Sequence, residues 1–380
     1  MYLFRSSLCY VGAMMVFKKQ GMNPWLLILI SGLVPLALFA LISYRWYREK
    51  TDLTKIAAQF IQRQNTILAH DAMAVSRRVT DLLEMAERDI RTLALLSPTP
   101  ENLRGFWLAH AAMVMLPGSA GESTRRVRLP LYSEIAVLNI RGDEAALIRG
   151  GKTEKARKLS ECSYRDLCDK NFIVAATKLP IGQTHYARVL RRYSPQAQKE
   201  EVEDALLRVA FRGSKNIVIL GMDYRHVRDI LYLPTFPYRE KKQLLQAYAD
   251  GNYIYLIDNE KNIIAHPKHW HVAGIDQATL DFRTPMISDD DDGSHPINIA
   301  KYQGKRLKDY FDRLMAHSLV QKEVDVFRAP NLSGTIRVLS VAPILFSKGQ
   351  YQQTGVFGHV ITGCNVDYFE EPKEKLIPYY

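Results

Sequence analysis

The sequence predicts an α+β fold: an apolar N-terminal helix, a long amphipathic helix, then two related modules in series, each an antiparallel sheet flanked by helices. Three observations predict it. Ile135-Ala-Val-Leu-Asn-Ile-Arg-Gly-Asp-Glu-Ala-Ala-Leu-Ile148 is echoed roughly 120 residues later by Ile254-Tyr-Leu-Ile-Asp-Asn-Glu-Lys-Asn-Ile-Ile-Ala-His-Pro267. Each copy is an apolar run, a polar turn and a second apolar run, the signal of a β-hairpin. The closing segments Ile217-Val-Ile-Leu-Gly-Met-Asp-Tyr224 and Gly358-His-Val-Ile-Thr-Gly-Cys-Asn-Val-Asp-Tyr368 also echo, both ending on Asp-Tyr. Ahead of the repeats, an uncharged apolar stretch leads into an apolar pattern of helical period.

The uncharged stretch runs from Trp25 to Ser43, about 19 residues, and as a helix spans roughly 29 Å, enough to cross a bilayer. Lys18 and Lys19 precede it, and Tyr44-Arg-Trp-Tyr-Arg-Glu-Lys50 follows with the aromatic and basic residues of an interfacial anchor. Arg45, Arg48 and Lys50 balance Arg5, Lys18 and Lys19, so the positive-inside rule gives no orientation. A cleaved signal peptide is the alternative, but the apolar core is long and no small-x-small pattern follows it. Met14, Met15 and Met22 are alternative starts.

Leu53, Ala57, Phe60, Leu68, Val75, Val79, Leu82, Ala86, Ile90 and Leu93 continue one helix, about 65 Å long beyond the anchor. Its apolar stripe must pack on the modules that follow, on a twin helix, or on both. Pro98 and Pro100 stop it, and Glu101 to Met115 resumes as a shorter helix. Gly118 to Thr124 reads as a loop. The first module has strands near 134–140, 144–149, 183–193, 205–212 and 216–223, with a polar helical stretch over Ser160–Ala176. Arg239 to Ala249 reads as a connecting helix. The second module carries an acidic insertion at 288–294 and a helix over Lys305–Leu319. The expected division is 1–23, anchor helix 24–44, stalk and second helix 45–117, modules 118–238 and 239–369, and a tail 370–380. A sizeable core is expected in each module.

The chain has 380 residues, 47% hydrophobic and 24% charged, and a formal net charge of +11. Its Lys and Arg are dispersed and no nucleic-acid motif accompanies them, so nucleic acid is not an expected partner. Of four cysteines, Cys162 and Cys168 could close a small disulfide loop in an oxidising compartment or remain two half-buried thiols.

Anchor, stalk and tandem modules, with Tyr253 to Pro267 ending in a His-Pro step followed by Gly274, resemble the double Cache sensor domains of bacterial receptors. The resemblance covers roughly residues 45–370 and implies two PAS-like modules: a membrane-distal one that holds a small ligand and a membrane-proximal one that carries the signal. It also implies that both stand outside the cytoplasm, on a single-pass protein of the bacterial inner membrane. Two departures matter. No kinase, cyclase or methyl-accepting transmitter follows Phe369, so the output is expected to pass to a separate protein, or the chain is the sensor part of a truncated receptor. The Arg-x-Trp-Tyr element of amino-acid-binding members is replaced by Ser163-Tyr-Arg-Asp-Leu-Cys-Asp-Lys-Asn-Phe172, which takes support from an amino-acid ligand.

The candidate ligand residues are Tyr164, Arg165, His185, Tyr186, Arg188 and Asp223. A guanidinium fork with hydroxyl and imidazole donors in an apolar cavity suits a small carboxylate such as acetate or pyruvate. Taken singly, each reads more simply as a solvated charge or as core packing; as a group they are the best site. His266, His269 and His271 have imidazole spacing that could hold zinc, nickel or copper. They fall in the hairpin and an adjoining loop, which argues against a metal. Asp289 to Asp292 lacks the alternating oxygen ligands of a calcium loop. No cofactor is implied. No nucleophile elbow, phosphate loop or paired Cys and His signature is present, so an enzyme is not expected. The reading is a membrane-anchored sensor, dimeric through its stalk helix. The alternative is a tethered solute-binding or scaffold protein serving a transporter or envelope complex.

Overall fold

A computed structural model describes residues 24–96, 99–116, 125–154, 167–189, 206–232, 253–266, 298–299, 316, 324–330 and 336–365. The chain divides into two compact units, Met1–Arg63 with Phe369–Tyr380, and Gln64–Tyr368. One helix, α1 (Pro24–Leu95), begins in the first and ends in the second.

In the first unit every described side chain from Gly32 to Lys50 is exposed, including Leu33, Val34, Leu36, Leu38, Phe39, Leu41 and Ile42. These consecutive positions cover the whole circumference of the helix rather than one stripe. Among the described residues no helix is long and apolar enough to cross a membrane. The apolar run that starts at Trp25 has described side chains only from Gly32 onward.

In the second unit, α1 buries Ala72, Val75, Val79, Leu82, Leu83, Ala86, Ile90 and Leu93, the stripe that the sequence pattern predicts. Each large aliphatic side chain so buried stabilises by about 1.5–3 kcal/mol. The side chains of Leu53, Ala57 and Phe60 lie outside the described residues. Helix α1 ends at Leu95, ahead of Pro98 and Pro100 as expected, and Pro100 itself starts the next helix. Thr99 caps α2 (Pro100–Ala109) by accepting from the Asn102 backbone N–H, and proline in the first turn sacrifices no helical hydrogen bond. The helix expected to reach Met115 ends at Ala109, and β1 (Ala111–Leu116) pairs antiparallel with β2 (Arg125–Pro130). Good helix formers are overridden there by strand partners.

Six strands form the larger sheet: β3 (Tyr132–Asn139), β4 (Glu144–Arg149), β5 (Lys152–Glu154), β6 (Thr184–Val189), β7 (Leu206–Arg212) and β8 (Asn216–Met222), in the order β5-β4-β3-β8-β7-β6. Helix α3 (Leu167–Thr177) follows β5, and α4 (Tyr224–Tyr232), not anticipated from the sequence, follows β8. The smaller sheet holds β9 (Tyr253–Asp258), β10 (Ile263–Ala265), β11 (Asp325–Pro330), β12 (Ile336–Leu345) and β13 (Val356–Asn365), in the order β10-β9-β13-β12-β11. The two orders match: in each, the first hairpin strand lies between its hairpin partner and the last strand. One apolar core nevertheless joins α1 to both sheets, where a core for each module was expected. A second, smaller cluster lies on the other face of the six-stranded sheet. The expected helix over Arg239–Ala249, nearly all of that over Lys305–Leu319, the acidic insertion and the tail lie outside the described residues.

The repeated sequence builds the same turn twice. The Gly142 N–H donates to Asn139 O at 3.0 Å and the Asn139 N–H to Asp143 O at 2.8 Å; Lys261 to Asp258 O and Asp258 to Asn262 O do the same at 3.0 Å each. Both turns need one residue in the left-handed region, Gly142 at φ 92° and Lys261 at φ 70°. Glycine adopts that region without penalty and lysine does not. Lys261→Gly is therefore expected to raise stability by about 0.5–1 kcal/mol and Gly142→Ala to lower it by about 1–2 kcal/mol, read from denaturant midpoints.

The sheets meet at strand β6. Gln350 accepts from the Tyr186 N–H at 3.0 Å and donates to Tyr186 O at 2.6 Å, so its amide acts as one residue of an added strand. Gly349 comes so close that a Cβ there would lie 2.7 Å from Thr184 O. This contact covers an edge that would otherwise present unpaired backbone groups.

Candidate ligand-binding face

Strand alternation gives the six-stranded sheet two distinct buried faces. Ile135, Val137, Val209, Val218 and Leu220 face the shared core with α1. Ala136, Leu138, Leu147, Ala210, Ile217 and Ile219 form the other face and pack with Phe172, Ile173 and Ala176 of α3.

A polar row crosses this second face. Register sets Arg149 of β4 beside Glu134 of β3, Glu134 beside Gly221 of β8, and Gly221 beside Arg208 of β7. Gly221 has no side chain, so Arg208 can reach across it. Its Nε and Nη2 donate to Glu134 Oε2 at 3.1 and 2.7 Å. Arg149 Nη2 approaches Glu134 Oε1 at 3.5 Å. Arg208 and Glu134 are 3% and 4% exposed, and the guanidinium also lies 5.9 Å from the Phe172 ring. Burying such a pair costs several kcal/mol of desolvation per ion and seldom adds net stability, so a reason other than stability is to be sought. The row carries two guanidiniums and one carboxylate among its described residues.

The residues singled out from sequence are distributed differently from expectation. His185 lies half-buried on the α3 face, its ring stacked on Phe172 at 5.7 Å. Burial lowers its pKa, opposed by a hydrogen bond with Gln350. Tyr186, the next residue, points the other way into the shared core, and its hydroxyl donates to Glu87 of α1 at 2.6 Å. Burial, then the Glu87 carboxylate, holds its phenol well above the ordinary value. Asp223 caps α4: its Oδ1 accepts from the Arg225 N–H at 2.9 Å and its Oδ2 from Arg225 Nη2 at 2.5 Å. Tyr186 and Asp223 are thus engaged away from His185, because adjacent strand residues face opposite ways and Asp223 is a helix cap. Arg188 lies on β6 opposite Leu207; its side chain, and all of Tyr164 and Arg165, lie outside the described residues.

His266 is half-buried with its ring 6.0 Å from that of Tyr255. His269 and His271 lie outside the described residues, as does Cys162; Cys168 is in α3 with its side chain not described. Among the described residues no group of three metal-ligating side chains exists. An interstice between α1 and the sheet, lined by Ala86, Tyr132, Tyr186 and Leu207 among others, has no room for a water molecule.

Sequence reasoning missed Glu134, Arg149 and Arg208. A signal was present: in Leu206-Leu-Arg-Val-Ala-Phe211, both alternating faces are apolar except at Arg208. A lone charge in a strand buried on both faces requires a counter-ion.

No family model and no curated protein matches the chain. Solved structures do. The extracellular domain of vpHK1S-Z8, described as a histidine kinase, is similar at 14% identity and TM-score 0.45, over 85% of this chain and 99% of that one. The ligand-binding domain of the Pseudomonas fluorescens chemoreceptor CtaA, in complex with L-isoleucine, is similar at 8% identity and TM-score 0.42, over 83% of this chain and 97% of that one. The periplasmic sensory domain of the Campylobacter jejuni chemoreceptor Tlp1 is similar at 10% identity and TM-score 0.39, over 84% of this chain and 96% of that one. The chain is thus similar to extracellular and periplasmic sensory domains.

Proposed function

We propose that the chain is a membrane-anchored sensor, with its sheets outside the cytoplasm of a bacterial cell, that takes a small carboxylate on the α3 face of the six-stranded sheet. The observation that carries this reading is the buried row Arg149, Glu134, Gly221, Arg208. Arg208 and Arg149 bring two guanidinium forks to one face, and such forks match carboxylate geometry. Phe172 and His185 border the same face, and Tyr164 and Arg165, between β5 and α3 in the chain, are retained as further donors. The anchor is supported by the wholly apolar, exposed circumference of α1 from Leu33 to Ile42. Pairing of two copies through α1, and transfer of the signal to a separate output protein, belong to the same proposal.

The test is a thermal-shift screen of the full-length chain in detergent with acetate, pyruvate, lactate, isoleucine and putrescine. A carboxylate is expected to raise the midpoint, and Arg149→Gln to weaken its apparent affinity about tenfold or more, the effect of one charge-assisted hydrogen bond. Isoleucine serves as the amino-acid arm, since it carries a carboxylate together with an ammonium. A response to putrescine alone, or an Arg149→Gln protein that responds as the wild type does, would contradict the proposal.

A further inference from the structure

The two sheets superpose by register, and this makes their faces comparable position by position. Setting the repeated turns together places Asn139 on Asp258, and so Leu138 on Ile257, Ala136 on Tyr255 and Glu134 on Tyr253. Leu138 pairs with Ile217 and Ile257 with His359; Ala136 pairs with Ile219 and Tyr255 with Ile361; Glu134 pairs with Gly221 and Tyr253 with Gly363. The face of the five-stranded sheet that carries Tyr255, His359 and Ile361 is therefore the counterpart of the α3 face.

The counterpart face is chemically different. Where the six-stranded sheet has Glu134 and Arg208 around Gly221, the five-stranded sheet has Tyr253 and Leu339 around Gly363. The buried ion row has no equivalent at these positions. Conversely, where the first sheet has Ile217 in an apolar cluster, the second has His359, fully buried, with neither ring nitrogen hydrogen-bonded. Ile257 and Pro343 flank His359 in register, and Tyr255, whose ring lies near that of His266, shares the face. Asp325 and Arg337 hold register positions on the same face, but Asp325 is on β11 and Arg337 at the far end of β12.

A buried imidazole without partners is rare, because interior polar groups are almost always satisfied by protein, water or a bound molecule. Burial also favours its neutral form, which offers one N–H donor and one acceptor nitrogen. We propose that this face is a second binding site, for a small uncharged organic molecule whose hydrogen-bonding head, such as a primary amide, meets the His359 imidazole while its apolar body lies against Ile257 and Ile361. The amide matches the imidazole because it too carries one donor and one acceptor function. The charged head of a carboxylate finds Leu339, not a guanidinium, at the position equivalent to Arg208. The proposal rests on register and on the unpartnered ring, not on the carboxylate reading of the first face.

The experiment compares isobutyramide with its charged isostere isobutyrate, on the full-length chain in detergent, by thermal shift and by ¹⁵N-histidine NMR. Isobutyramide is expected to raise the wild-type midpoint by about 2–4 °C at saturation and to shift one histidine resonance pair that His359→Leu removes. His359→Leu is expected to lose the isobutyramide response yet keep any response to acetate, pyruvate or lactate. His359→Gln, which retains a donor and an acceptor, covers the case in which the leucine variant fails to fold and is expected to keep part of the response. The proposal is overturned if isobutyramide produces no midpoint rise in the wild type, as for an imidazole satisfied by water, or if His359→Leu responds as the wild type does. Loss of the carboxylate response with the amide response intact would contradict the first site only.

Discussion

Glu134→Leu is expected to destabilise the protein by about 3–5 kcal/mol, because it leaves the buried Arg208 guanidinium without its carboxylate. The substituent itself is well tolerated by such a face, where Ala136, Leu138 and Ile219 are already apolar. The damage comes from the charge left behind. Glu134→Leu with Arg208→Met should therefore recover most of the loss, since replacing both members of a buried pair by apolar groups is often neutral or favourable. Arg149, 23% exposed at its side chain, can turn toward water when Glu134 is absent. Denaturant unfolding of the two single variants and the double variant measures the coupling. Additive losses in the double variant would show that the pair is not a coupled buried unit. The recovered double variant should still fail to respond to carboxylates, which separates the row's role in binding from its effect on stability.

The second large effect is on acid stability. Burial pushes the His359 imidazole down to about 4, below the value near 6.5 expected in an unfolded chain. The unfolded chain then binds the proton more tightly than the folded one. This contribution is fully present above pH 6.5 and is lost as the pH falls through the folded value, about 3 kcal/mol in all. His185 is shifted in the same direction by burial and adds to the same trend. Comparing wild type with His359→Leu between pH 7 and pH 4 isolates the effect, since carboxylates common to both cancel. The variant should lose distinctly less stability over that range. Parallel curves would mean that His359 takes up its proton without cost in the folded protein.

Much of the architecture was legible because it is written in periodicity. The stripe from Val75 to Leu93 and the paired hairpins follow directly from spacing and turn residues. Strand β1 was not legible: Ala-Ala-Met-Val-Met-Leu reads as helix until its pairing with Arg125–Pro130 is known. Helix α4 is hidden in the sequence because Asp223 reads as a ligand donor until its capping of Arg225 is known. The echo of the closing strands on Asp-Tyr sets Ile217 on Ile361, whereas the register sets Ile217 on His359, two residues away. Strand register depends on partners, which a single strand's sequence does not display. The candidate site suffered most from this. Polar stretches such as Ser163 to Phe172 advertise donors, whereas Arg208 and Glu134 sit inside apolar strands and acquire meaning only when Gly221 brings them together.

The sensor reading stands or falls on a small carboxylate bound on the α3 face against the Arg208, Glu134 and Arg149 row. The most direct measurement is the anomalous X-ray signal of bromine in crystals of the full-length protein grown with 1-bromocyclopropanecarboxylate, a small carboxylate whose ring-bound bromine is not readily displaced by thiols or imidazoles. A bromine peak is expected on the α3 face beside the Arg208, Glu134 and Arg149 row, with the carboxylate against the guanidiniums. Bromine peaks confined to other parts of the protein, with none on that face, would contradict it.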